Sequence, residues 1–347
     1  MPFLISVGHG QDLCAGCCIS PSDLRCCYSP EKNNNLSISN SDMKRFLILL
    51  FIFVAILIAG FVAVLSRANE NTDEFYYRFA TPKQSSLVIG TSRAAQGINP
   101  SIINAQLGRT DLFNYAFTND HSPYGAIYLR SIREKLNVES NSGIFILAVD
   151  PWCLSSDKQA PEDEKFFREN GLMLDQMPVV DMHPNVFYLM KFYQEPYSHL
   201  LTGTHNAELV LKRDGWLEVN VPMDSAAVQR RTVSRMNDYR EKVAPAYAPS
   251  NLRMHFLIET IAYLKKHGNV YLVRLPVSAE MKLIEDDYYP AFDEQMTLVS
   301  SQNTVSFLNL RKENMNCTFT DGNHLSKYSA HEVSERIATF IKENTKQ

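Results

Sequence analysis

At 347 residues, 45% hydrophobic and 21% charged, the chain can bury the core of one large domain or two small ones, which excludes the disordered and low-complexity classes. The formal net charge of -4 comes without a long basic run, which excludes an electrostatic footprint for nucleic acid. The acidic excess is too slight to point to a polycationic partner.

The N-terminal stretch, residues 1 to 42, carries Cys14, Cys17, Cys18, Cys26 and Cys27 and then an Asn/Ser-rich segment with neither helical nor strand periodicity. The cysteines lack the two well-spaced pairs of a tetrahedral zinc site, so no metal is assigned to them. The segment is expected to be a disordered tail. Because Met43-Lys44-Arg45 reads as a natural bacterial start, it is also expected to be a mis-assigned upstream extension. Residues 45 to 67 follow as a transmembrane helix. From Phe46 to Leu65 the chain holds 20 consecutive uncharged, almost wholly apolar residues, about the ~20 a helix needs to cross the hydrocarbon layer. A cleaved signal peptide would have a shorter apolar core and a small-residue cleavage site, and no convincing site follows. Lys44 and Arg45 before the span, with Glu70, Asp73 and Glu74 after it, place the C-terminal bulk outside the cytoplasm. Residues 68 to 84 read as a tether.

Beyond the tether, apolar runs alternate with helical patterns. "SSLVIGTS", "DLFNYAF", "GIFILAVDPW", "NVYLVRLP" and "VSFLNL" predict strands: short, rich in β-branched and aromatic residues, and bounded by turn formers. Helices are predicted at about 101 to 108, 122 to 136, 251 to 267 and 279 to 286, with a last one in "SKYSAHEVSERIATFIKEN". This alternation predicts a mostly parallel sheet covered on both faces, in a domain from 85 to 347. A largely helical insertion at about 153 to 250 interrupts it and is expected to form a cap or subdomain beside the site. It includes a hairpin near "LKRDGWLEVNVP", a basic "QRRTVSRMNDYREK" and the aromatics Phe187, Tyr188, Phe192, Tyr193 and Tyr197, whose helical spacing favours core packing over stacking on sugars.

In open parallel sheets, ligands bind beyond the carboxyl ends of the strands. Ser92 stands at the carboxyl end of the first strand. Gly90 permits a tight exit, and Thr91, Ser92 and Arg93 open a helix whose free N–H groups can stabilise an oxyanion. Read alone, Ser92 is a helix N-cap. A catalytic reading needs a base, and Asp321-Gly322-Asn323-His324 precedes the last helix on the same edge of the sheet. There Asp321 can hold the imidazole of His324, whose other nitrogen takes the Ser92 proton. Arg93 either recognises an anionic acceptor or holds the loop through carboxylates such as Asp150, and Asp150 reads as a strand end rather than an acid. Cys153 and Cys317, just outside strand ends near this site, could pair in an oxidising compartment. Asn316-Cys317-Thr318 matches a glycosylation sequon without consequence in a bacterial protein.

Gly90-Thr91-Ser92 at strand one together with Asp321-x-x-His324 before the last helix resembles the SGNH (GDSL-type) hydrolase superfamily. The sequence is most similar to its membrane-anchored branch, which includes alginate and peptidoglycan O-acetylation proteins and the D-alanyl transfer protein of teichoic acid. The resemblance covers roughly residues 85 to 152 and 251 to 343. It implies a three-layer α/β/α, flavodoxin-like parallel sheet, with Ser92 as nucleophile, His324 as base and Asp321 as the orienting acid. The family's G-D-S is G-T-S here, and its G-x-N-D block after strand three is "AVDPW", with Asp150. Asn114 or Asn119, after strand two, then stands as the side-chain oxyanion donor. The G-x-S-x-G elbow of α/β-hydrolases is disfavoured, because there the nucleophile follows several strands.

The expectation is a single-pass membrane protein whose extracytoplasmic domain faces the periplasm or the cell surface. It would transfer an acyl group, acetyl in the leading form, to a cell-envelope polysaccharide or other acylated carbohydrate, or hydrolyse such an ester. No cofactor or metal is called for, and a transferase would draw on a membrane-bound acyltransferase partner. The alternative is a non-catalytic SGNH-like polysaccharide-binding or assembly module.

Overall fold

The computed structural model describes residues 39–203 and 207–345. The chain divides into two compact units, Met1–Ala55 and Ile56–Gln347. Helix α1 (Asn40–Leu65) runs through the boundary and is long and apolar enough to cross a membrane. It starts before the expected residue 45 because Ser39 accepts from the Ser41 N–H at its first turn. The last positions assigned to the tail are thus helical, and the rest of the tail, with its five cysteines, lies outside the described residues.

In the second unit a short helix α2 (Tyr76–Ala80) leads into β1 (Ser86–Ile89), α3 (Ser92–Gly97), α4 (Pro100–Leu107), β2 (Leu112–Asn114), α5 (Ala126–Lys135) and β3 (Gly143–Ala148). The insertion then supplies β4 (Ser155–Asp157), α6 (Met173–Gln176), α7 (Val186–Lys191), α8 (Ser198–Thr202), β5 (Leu209–Leu211), β6 (Leu217–Val219), α9 (Ser225–Asp238), α10 (Ala244–Ala246) and β7 (Tyr247–Pro249). The chain closes with α11 (Asn251–Leu264), β8 (Gly268–Arg274), α12 (Ala279–Tyr288), α13 (Phe292–Asn303), β9 (Ser306–Asn309) and α14 (Lys327–Asn344).

The five apolar runs make one parallel sheet in the order β2-β1-β3-β8-β9, with Val88 beside Ile146 and Leu147 beside Leu272. Helices cover both of its sides. Leu87, Ile89, Phe145 and Leu147 point into a core with α5, α11 and α13, while Val88, Ile144, Ile146 and Ala148 point into another with α3, α4 and α14. Burial on both faces is why these strands read as continuous apolar runs rather than as alternation. Leu87, Ile146 and Leu272 are fully buried, each contributing roughly 1.5–3 kcal/mol. Strand order reverses between β1 and β3, so a crevice opens where their carboxyl ends diverge.

Three expectations are corrected. The segment 68 to 84 is no tether: Tyr76 and Phe79 are fully buried, and Arg78 donates to the carbonyls of Asn114 and Gly215. Two aromatics three residues apart on α2 outweigh the polar look of the segment. The insertion is not largely helical. Only α9 exceeds two turns; the ends of the insertion are clasped by an antiparallel β4–β7 stem, and the predicted hairpin forms as β5–β6. Cys153 and Cys317 are both free. Cys153 is buried in one core and Cys317 packs against the other, so the sheet lies between them. Of the insertion's aromatics, Tyr188 is buried 5.6 Å from Phe79, Phe187, Phe192 and Tyr193 pack half-buried against the same core, and Tyr197 is exposed.

Candidate active site

β1 delivers its last residues to the crevice. Gly90 has φ +153°, and a Cβ there would come within 2.9 Å of the Cβ atoms of Ala148 and Ala94. No other residue fits that exit. Ser92 then becomes the first residue of α3, with Thr91 as the flanking cap, and is partly exposed. Thr91's side chain makes no capping bond, and the N–H groups of Ser92 and Arg93, in the opening turn, have no intrahelical acceptor.

The partner loop lies between β9 and α14. An antiparallel bridge between Phe319 and Leu325 and the Thr320 N–H to His324 carbonyl bond close a tight turn, in which Gly322 takes φ +77°. That left-handed residue lets the chain fold back, so Asp321 accepts the backbone N–H groups of Asn323 and His324 at 3.0 and 2.9 Å. Its carboxylate also holds the ring: His324 Nδ1 is 2.9 Å from Asp321 Oδ2. His324 Nε2 is then left to face Ser92 Oγ at 2.9 Å. With Nδ1–H donated to the carboxylate, Nε2 carries the lone pair that can take the serine proton. Burial alone would raise the Asp321 carboxyl, but His324 and Arg235 beside it hold it well below the usual carboxylate range. The acid therefore stays ionised behind the ring.

α9 lies over this loop. Thr232 and Met236 crowd Gly322, Arg231 donates to the Thr320 carbonyl, and Arg235 Nε donates to Asp321 Oδ2 at 3.0 Å. Positions 232, 235, 236 and 239 share one helical face, and Tyr239 continues it onto Trp152 at 4.8 Å.

Arg93, immediately after the nucleophile candidate, is buried and clamps the opposite loop. Its Nε and Nη2 both donate to Asn323 Oδ1, at 2.9 and 2.6 Å, and its Nη1 donates to Glu285 Oε1 at 2.6 Å. Glu285 also accepts from Trp152 Nε1, Arg274 and Arg311. Because Arg93 occupies the amide oxygen of Asn323, the amide nitrogen turns to the imidazole, 3.2 Å from Nε2 and 3.5 Å from Nδ1. It rests against the ring whose two nitrogens already have Ser92 and Asp321.

The sequence-predicted residues divide accordingly. Ser92, Asp321 and His324 are brought together. Arg93 serves as a brace, and Asp150 lies 3.8 Å from it while its own Oδ1 accepts the N–H groups of Trp152 and Cys153. Asn114 is no oxyanion donor: it is fully buried, and its amide is spent on the carbonyls of Ala94 and Ile98. The Gly90 N–H is likewise spent, on Tyr128 Oη. Asn119 accepts from Arg168 through its Oδ1 at 3.1 Å, which leaves its amide nitrogen as the side-chain donor still available of the two. Sequence reasoning passed over Asn323, Glu285, Trp152 and Arg235. Asn323 stood inside the quoted Asp-x-x-His stretch, and Arg235 stood at helical spacing in the basic run; nothing local marked Glu285. Among the described residues no cluster of His, Cys, Asp and Glu could hold a metal ion.

Fold and site thus define an α/β domain with a five-stranded parallel sheet, preceded by one helix able to span a membrane, and with a hydroxyl–imidazole–carboxylate series at the sheet's carboxyl edge. No family model matches the chain, and no curated protein matches it either. A solved crystal structure aligns over 76% of this chain and 100% of its own, with 12% identity and a TM-score of 0.37, a likeness too slight to support any inference.

Proposed function

We propose that this is an SGNH-type membrane-anchored protein whose domain lies outside the cytoplasm. Its serine carries out acyl transfer, acetyl in the leading form, to a cell-envelope carbohydrate, or hydrolyses such an ester. The observation that carries the reading is the unbroken series Ser92 Oγ, His324 Nε2, His324 Nδ1, Asp321 Oδ2, with 2.9 Å at each contact, drawn from opposite ends of the chain. The sheet order, which counted within the sheet is the flavodoxin-like 2-1-3-4-5, agrees with it.

In the first half-reaction Ser92 Oγ bonds to the acyl carbon while His324 Nε2 takes its proton. The ester C–O bond then breaks, and the leaving alkoxide receives that proton from His324. In the second, a carbohydrate hydroxyl or water attacks the acyl-serine and gives its proton to His324, and the proton returns to Ser92 as the serine leaves. The backbone N–H of Ser92 and the amide of Asn119 are assigned to the oxyanion. A transferase would receive its acyl group from a membrane-bound acyltransferase; a hydrolase would not.

The test is covalent labelling of the full chain in detergent with a fluorophosphonate. Labelling of the parent protein that disappears in Ser92→Ala is the expected result. The spent Asn114 amide and Gly90 N–H favour a second reading, a non-catalytic polysaccharide-binding or assembly module. A folded parent protein that resists the probe would sink the first reading and favour the second.

A further inference from the structure

A cavity of about 790 Å³ opens between the β4–β7 stem, α10 and α12. Such a volume falls in the range of small-molecule sites, roughly 300–1,000 Å³. Tyr247 and Tyr288 form aromatic walls, with Leu283 beside them, while Lys158, Arg240 and Asp287 bring charge. Both rings are fixed from behind: the Arg168 guanidinium lies 4.7 Å from the Tyr247 ring, and Trp152 stacks on Tyr288 at 4.4 Å and 22°. Rigid ring faces suit the C–H faces of sugar rings and lose little entropy on binding. Lys158, Arg240 and Asp287 are exposed and, among the described residues, make no ion pair. Two cations against one carboxylate leave the rim short of negative charge.

The backbone has been adapted at this place. α9 passes into a π-helical turn, Tyr239–Val243, before α10, and such turns occur frequently at functional sites. The turn holds Tyr239 on Trp152 and carries the next residue, Arg240, to the cavity. Trp152 in turn donates to Glu285, the carboxylate that Arg93 grips. Tyr288 on the cavity wall, Trp152 stacked behind it and Glu285 therefore link the cavity to Arg93, the residue that follows Ser92.

We propose that this cavity holds a carboxylate-bearing oligosaccharide. Its sugar rings lie on Tyr247 and Tyr288, its carboxylates face Lys158 and Arg240, and Asp287 accepts from its hydroxyls. The site keeps the polymer beside the serine rather than at it, and this role rests on the acyl-transfer reading above. An acyl tail would need an enclosed apolar tunnel, whereas this cavity is open and charged at its rim.

The test uses the full chain in nanodiscs, titrated by calorimetry with oligogalacturonate and with its methyl-esterified, uncharged counterpart. The acidic oligomer should bind at least tenfold tighter, and the double variant Lys158→Ala with Arg240→Ala should weaken it about tenfold or more. Both positions are exposed, so the variant should fold, and its hydrolysis of p-nitrophenyl acetate should match the parent. Equal binding of the two oligomers, or undiminished binding by the double variant, overturns the proposal. Charge-dependent binding in a protein with no Ser92-dependent ester hydrolysis would retain the cavity and remove the acyl-transfer reading. Hydrolysis without charge-dependent binding would do the reverse.

Discussion

Two pairs of sequence neighbours meet across the crevice: Ser92 with His324, and Arg93 with Asn323. The second pair fixes the first. Arg93 offers a planar fork, two arms of which share one amide oxygen while the third reaches Glu285, a geometry a lysine cannot reproduce. The orientation of the Asn323 amide, and hence the nitrogen lying against the imidazole, follows from that fork. The charged groups around the ring are Asp321 on its own loop, Arg235 from α9, Arg93 from α3 and, behind Arg93, Glu285 from α12 and Asp150 after β3. Asn323→Ala should therefore lower kcat for an activated acetyl ester by about 10- to 100-fold with KM little changed, because the ring loses its support but the binding surface does not. Asn323→Asp sets a carboxylate against the ring, which favours the protonated imidazole, so the acid limb of the rate–pH profile should move to higher pH. A profile that stays in place in Asn323→Asp would reduce Asn323 to a filler of space.

At the scale of elements, the five strands were legible because burial on both faces leaves a continuous apolar run between turn formers. The helices α4, α5, α11, α12 and α14 were legible from periodicity, within a few residues at their ends. α13 was not, since Phe292, Met296 and Val299 are its only buried residues and the polar remainder resembles a loop. The triad candidates were visible because strand ends and motif spacing are local properties. The clamp was not, since Glu285 of α12 acquires its role only when α3, β8 and the segment after β9 bring three arginines around it. The loop after β2 shows the same limit. Sequence offered Asn114 and Asn119 equally, and only the packing of Asn114 against α3 separates them. That loop is held at the nucleophile end by Ser122 Oγ, which donates to the Gly90 carbonyl at 2.8 Å. Asn119→Ala should accordingly cost about 10²- to 10³-fold in kcat, the usual loss for one oxyanion donor, without unfolding the protein. Asn114→Ala should instead lower the melting temperature, because it takes the amide donor from the Ile98 carbonyl and one of two donors from the Ala94 carbonyl, which keeps only the Ile98 N–H. A stable Asn119→Ala variant with unchanged kcat would remove Asn119 from the oxyanion site.

Across the whole second unit, one lysine joins three regions that the sequence set apart. Lys135, at the end of α5, is fully buried and donates to the Thr81 carbonyl and hydroxyl and to the Val180 carbonyl, tying the segment after α2 and the insertion to the sheet. Burial, opposed only by Asp181, brings its pKa down to about 7 from 10.5. The sign of the pH dependence follows. Below pH 7 the amine is protonated in both folded and unfolded chains, and the cost of burying its charge is carried in full. Between about pH 7 and 10.5 the folded protein releases a proton that the unfolded chain keeps, so stability rises with pH, by at most about 1.4 kcal/mol per pH unit from this group. In Lys135→Met that contribution is absent, while the Thr81 and Val180 carbonyls lose a donor at every pH, a cost of about 1–3 kcal/mol each. Thermal unfolding of the full chain in detergent at pH 6, 7, 8 and 9 should therefore show the parent gaining on the variant as pH increases. Parallel curves for the two proteins would mean that the lysine is charged throughout and that the joint between these regions does not titrate.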